Sequence, residues 1–96
     1  MVSVTVRMMG ALKEVSGISS EVLQFNGEVS VSAIIKRLIS LHGRAFEQSL
    51  LDPMLENPHP NALILLNGVE INNLQGLLTL LRDGDELVLL SVTHGG

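Results

Sequence analysis

Ser30-Val31-Ser32-Ala33-Ile34-Ile35-Lys36-Arg37-Leu38-Ile39-Ser40-Leu41-His42-Gly43 decides the fold, because it holds the clearest helical period in the chain. Val31, Ile34, Ile35, Leu38, Ile39 and His42 recur at three- and four-residue spacing and share one face. Ser32, Lys36, Arg37 and Ser40 fall opposite. Ser30 suits an N-cap, since its hydroxyl can accept from a free first-turn amide, and Gly43 stands where a left-handed C-terminal cap belongs. A helix with one apolar stripe needs a sheet to cover.

The strands lie on either side of it. Val2-Ser3-Val4-Thr5-Val6-Arg7-Met8 alternates apolar and polar, which predicts a half-buried strand with Val2, Val4, Val6 and Met8 facing inward. Gly10 and Ser16-Gly17 interrupt it, and Glu21-Val22-Leu23-Gln24-Phe25 returns as a second strand that stops at Asn26-Gly27. The long connection around Leu12 implies a loop with a shape of its own. After the helix, Phe46, Leu50, Leu51, Met54 and Leu55 suggest a short helical turn, and Pro53, Pro58 and Pro60 forbid regular structure. Asn61 to Leu66 is a continuous apolar run ending at Asn67-Gly68, a strong hairpin-turn signal, with Val69-Glu70-Ile71 as the stub that returns. Leucines at 74, 77, 78, 80 and 81 suggest a tight helical turn, and Asp83-Gly84-Asp85 turns the chain into the last strand, Glu86 to Leu90. The expected architecture is α+β: a mixed four- to five-stranded sheet with one main amphipathic helix across one face. Its first and last strands should be central and parallel, because a helix-containing connection is available between them.

Composition limits the function. The chain has 96 residues, 46% hydrophobic and 17% charged, enough for one domain with a modest core. Only Phe25 and Phe46 are aromatic, so aliphatic packing must fill that core. A net charge of −4 without a Lys/Arg cluster argues against a nucleic acid partner and favours a protein that presents a basic surface. Cysteine is absent, which excludes disulfides, thiolate metal sites and a cysteine nucleophile. His42, His59 and His94 have no carboxylate or cysteine at a metal-ligand spacing, so no metal site is expected. His42, ending the helix, is expected to meet the terminal carbonyls. No apolar run reaches the length of a membrane span and no signal-peptide pattern opens the sequence; the expected compartment is the cytosol.

Chemistry concentrates in Ser91-Val92-Thr93-His94-Gly95-Gly96. Residues 1–92 read as the folded domain and 93–96 as a tail. Two terminal glycines have no side chains to bury, but a main chain without Cβ atoms can enter a narrow channel and present its carboxylate there. That carboxylate is anionic and unreactive at neutral pH; adenylation would make it an acyl electrophile open to sulfur or an amine. No P-loop or other glycine-rich strand–helix motif occurs, so the chain needs no cofactor of its own and the ATP must belong to a partner.

Three stretches resemble the ubiquitin-like β-grasp carriers typified by MoaD, ThiS and the archaeal small modifier proteins. They are Val6 to Gly17, the run from Asn67-Gly68 through Leu74 and Leu81 to Asp83-Gly84-Asp85-Glu86, and Gly95-Gly96. The likeness covers nearly the whole chain. The body is similar to MoaD, whereas Ser91-Val92-Thr93-His94-Gly95-Gly96 is closer to the ending of the eukaryotic ubiquitin-related modifier. The resemblance implies a ubiquitin-like fold and a non-enzymatic sulfur carrier. An ATP-dependent activating enzyme of the MoeB/ThiF kind would adenylate Gly96, and a sulfur donor would convert it to a thiocarboxylate. The sulfur would pass to molybdopterin synthase large subunit or to a tRNA thiolase. Two other readings remain open at this level: a protein modifier joined through Gly96 to target-protein lysines, and an interaction domain whose glycines are incidental.

In that scheme Gly96 is the reacting residue, Gly95 its slim neighbour, and His94 a tail residue within reach of the partner's channel. Leu90 occupies the position where MoaD-like chains place an aromatic contact. If Leu87 and Leu89 face the core, alternation puts Val88, Leu90 and Val92 on the opposite side of the sheet. Either Leu63 and Leu65 or Ile64 and Leu66 must join them there. This second apolar face is covered by residues 44–60 or awaits a partner, and Leu90, Val88 and Val92 are its expected contact residues.

Overall fold

β1 (Val2–Gly10) forms as the alternation dictates, with Val2, Val4, Val6 and Met8 buried and Ser3, Thr5, Arg7 and Met9 on the other side. The computed structural model describes residues 1–51, 58 and 62–91. The expected loop around Leu12 is a helix, α1 (Ala11–Ser16), which buries Leu12 completely and ends at Gly17 in the left-handed conformation. β2 (Ser20–Phe25) then runs antiparallel to β1, pairing Leu23 with Val4.

β3 (Val29–Ser30) leads into α2 (Val31–His42). The Ser30 hydroxyl accepts from the Ala33 amide at 3.1 Å, the cap its position implies. Val31, Ile34, Ile35 and Leu38 are buried, Ile39 and His42 lie at the rim, and Lys36, Arg37 and Ser40 are exposed. The helix ends differently from the expectation. Gly43 has φ 89° and ψ −168°, a glycine conformation outside the left-handed helical region, though its amide still donates to the Ile39 carbonyl. His42 does not cap those carbonyls; its Nε2 lies 2.7 Å from Glu21 Oε1 on β2, because Glu21 shares the inward side of that strand.

α3 (Arg44–Leu50) follows directly and buries Phe46 and Leu50. β4 (Ala62–Leu66) and β5 (Val69–Glu70) form the hairpin that Asn67-Gly68 announces, with φ of 48° and 87° at the two turn residues. The leucine run that follows is not one helical turn. It holds one 3₁₀ turn, Gly76–Leu78, and then β6 (Leu80–Leu81), which pairs antiparallel with β3; Ile71, expected in the returning strand, instead opens a separate 3₁₀ turn, Ile71–Asn73, ahead of the run. The acidic turn is held by its own carboxylates: Asp83 accepts from the Ser3 amide, and Asp85 accepts from the Arg82 amide and from Asn67 Nδ2.

β7 (Glu86–Ser91) completes a five-stranded sheet of order β2-β1-β7-β4-β5, in which β1 and β7 are central and parallel. One core lies between this sheet and the helices. Leu87 and Leu89 enter it from β7, beside Ile64 of β4 and Leu38 of α2. α3 packs on α2 and α1 and adds Phe46 and Leu50 to the same core, so residues 44–51 lie on the helix side of the sheet, and among the described residues no element packs on the opposite face. Residues 52–57 and 59–61 lie outside the described set, and with them the expectations for Met54, Leu55 and His59.

Candidate functional site

The open face is built by register. Val88 stands opposite Leu65 and Leu90 opposite Leu63 across the antiparallel β7–β4 pair, so all four point to one side. On the parallel β7–β1 pair Leu90 lies beside Met9, and Val88 beside Arg7. Val88, Leu65 and Leu90 are half-buried, Met9 is 48% exposed and Leu63 37% exposed. Arg7 and Glu86 flank this apolar strip with Arg7 Nη1 3.9 Å from Glu86 Oε2. The alternation of Leu87 and Leu89 resolves the earlier ambiguity at β4: Leu63 and Leu65 face outward, and Ile64 faces the core.

Leu90 and Val88 therefore sit where the sequence reading placed them. Val92, His94, Gly95 and Gly96 lie outside the described residues, as does the division between domain and tail. Met9 was not singled out in the sequence because it follows the core residue Met8, and only the strand's alternation separates the two.

Gly10, at the end of β1, and Ser91, at the end of β7, were not among the expected site residues. Gly10 pairs with Ser91 and has φ 65°; a Cβ there would lie 2.3 Å from the Ser91 carbonyl oxygen and 3.2 Å from Leu90 Cδ1. Ser91 is 4% exposed, and its Oγ donates to the Ser49 carbonyl of α3 at 2.7 Å. The signal for Ser91 was present, since a serine interrupts the inward series Leu87, Leu89.

A concavity of about 530 Å³ lies near the start of β7, not its end: Leu66, Leu74 and Leu80 line it, and Glu28 and Arg82, paired at 3.2 Å, stand at its rim. No group of three or more His, Cys, Asp and Glu side chains among the described residues could hold a metal ion. No helix there is long and apolar enough to cross a membrane.

The ThiS family model matches residues 6–96, from the middle of β1 to the terminal glycine. The chain belongs to the ThiS family. Urm1 from Trypanosoma brucei superposes with a TM-score of 0.81 at 22% identity, covering 98% of this chain and 95% of that one. Small archaeal modifier protein 1 from Methanosarcina acetivorans gives 0.77 at 26% identity, covering 100% and 98%. A chain of the BexX/CysO complex from Amycolatopsis orientalis gives 0.74 at 26% identity, covering 97% and 99%. A comparison with curated protein sequences gives no match. The fold of this ThiS-family chain is thus the ubiquitin-like β-grasp, in a family of small sulfur carriers and modifiers.

Proposed function

We propose that this ThiS-family chain is an acyl carrier whose Gly96 carboxylate is activated and sulfurated by other enzymes. The carboxylate attacks the α-phosphorus of ATP on an activating enzyme, pyrophosphate leaves, and an acyl-adenylate forms. Hydrosulfide from a donor then displaces AMP and loses its proton, leaving a thiocarboxylate at Gly96; its sulfur attacks an acceptor bound by a further enzyme, and water cleaves the acyl carbon–sulfur bond to return the carboxylate. The chain supplies a recognition face and an electrophilic end, and its own side chains perform no chemistry. The observation that carries this reading is that the family match runs through Gly96, on a chain whose central strand ends five residues before that glycine.

The face around Leu90, Val88, Leu63 and Met9 is the proposed docking surface for the activating enzyme, and Val92 is a further proposed contact residue. A tail alone binds weakly, because ordering each residue costs backbone entropy, so a folded surface must engage first. An apolar strip beside the end of β7 meets that need. That one relative was solved as a BexX/CysO complex supports a partner enzyme for this chain as well. The acceptor pathway is molybdopterin synthesis or tRNA thiolation, in the cytoplasm. Likeness to a small archaeal modifier protein favours a second reading, in which a lysine amine of a target protein attacks the same adenylate. Incubation with the activating enzyme, ATP and a sulfur donor tests the first reading, and capture of lysine conjugates tests the second.

A further inference from the structure

The Ser49 carbonyl, in the last turn of α3, lacks the i+4 donor that an α-helix supplies. The amide that would bond the Ser49 carbonyl belongs to the residue four positions on, and that residue is Pro53, which has no N–H. The partner comes from across the fold: Ser91 Oγ donates to this oxygen at 2.7 Å. Position 91 continues the inward series of Leu87 and Leu89, where an apolar side chain would bury more surface. A hydroxyl there gives up that gain and ties the end of the central strand to α3. The strand end is held on three sides, by backbone pairing with Gly10 and with Ala62 and by this side-chain bond.

We infer that Ser91 is a positioning residue for the chemistry at Gly96, acting through the Ser49 carbonyl to fix the point from which the reacting segment leaves the fold. The inference rests on the acyl-carrier reading above. Five residues separate Ser91 from Gly96, and five extended residues span at most roughly 17 Å. Docking holds the open face, while the terminal carboxylate must reach the α-phosphorus of ATP in line. The two requirements meet at the end of β7. Slack at Ser91 passes directly to the carboxylate, and a misplacement of about 1 Å can cost on the order of a hundredfold in rate. Docking affinity does not depend on the bond, because Ser91 faces the core and Leu90 faces the partner.

The test uses the full chain, its activating enzyme, and ATP–pyrophosphate exchange measured over a range of carrier concentrations. Ser91→Ala should lower kcat by about tenfold or more and leave KM within about twofold, as loss of a positioning interaction requires. Ser91→Thr, which keeps the hydroxyl, should recover most of the loss. Melting curves establish that each variant is folded at the assay temperature. Ser91→Cys, close in size but a weak donor, replaces the alanine variant if that one is not. An unchanged kcat in Ser91→Ala, or a raised KM with unchanged kcat, overturns the inference and leaves the carrier reading intact. No exchange with the unaltered chain defeats the carrier reading, and the inference with it.

Discussion

Gly10 and Ser91 approach so closely across the β1–β7 pair that a Cβ on Gly10 would meet the Ser91 carbonyl oxygen at 2.3 Å. The contact is with backbone, which cannot swing aside as a long side chain would, and Gly10 also needs φ 65° to turn β1 into α1. Gly10→Ala should therefore destabilise the domain by at least about 2 kcal/mol, from backbone strain together with overpacking. Gly17→Ala is the control: φ is again positive, at 77°, but nothing lies within 4 Å of the added Cβ. It should cost only about 1 kcal/mol, the penalty of a left-handed residue with a side chain. Thermal melts of the two variants give the comparison, and equal losses would show that the close approach to Ser91 is not a constraint.

Leu38 lies fully buried at the middle of the α2 stripe, and Lys36 is exposed on the opposite side. Leu38→Ala should cost roughly 2–5 kcal/mol, a large share of a total stability of about 5–15 kcal/mol. Lys36→Ala should fall within about 0.5 kcal/mol of the unaltered chain. Chemical denaturation measures both.

Much of the fold was legible because its periods are unambiguous. The 3.6-residue stripe from Val31 to Leu38 and the two-residue alternation from Val2 to Met8 each allow one assignment, and the parallel central strands follow from the connection between them. Asn67-Gly68 named its hairpin turn directly. What was not legible depends on neighbours distant in sequence. His42 turned from the helix end because Glu21 stands 2.7 Å away on β2. Leu80-Leu81 became a strand because Val29-Ser30 lies beside it, a pairing too short to leave a period. The outward placement of Leu90 and Val88 was readable from alternation once Leu87 and Leu89 were assigned inward. Ser91 was legible only as a serine breaking an inward leucine series and Gly10 only as a break in the first strand, since what they contact is a carbonyl 42 residues away and a neighbouring strand.

The His42–Glu21 pair should be coupled energetically. Both side chains are mostly buried, and the His42 ring also lies 5.4 Å from the Phe46 ring. A double-mutant cycle with His42→Ala and Glu21→Gln should give an interaction of about 0.5–1.5 kcal/mol, in the range of a partly buried hydrogen bond. Additive effects would mean that the 2.7 Å contact contributes nothing to stability.

Leu90→Asp places a charge at the centre of the open face without entering the core. Binding to the activating enzyme should weaken by at least about tenfold, since an apolar anchor is commonly worth about 2 kcal/mol and 1.4 kcal/mol is a factor of ten. The melting temperature should change little. Calorimetric titration beside a melt separates the outcomes: unchanged affinity removes Leu90 from the interface.

In the proposed function Gly96 is the sulfur-bearing end of the carrier. Intact-mass measurement after incubation with ATP, the activating enzyme and a sulfur donor tests it most directly. The mass should rise by the exchange of one oxygen for one sulfur, localised to the C-terminal peptide and absent from a chain ending at Gly95 with the same melting temperature. A chain ending at Gly95 that is sulfurated as readily as the full chain, or a full chain whose Gly96 stays unaltered with an enzyme that binds it, would contradict the account.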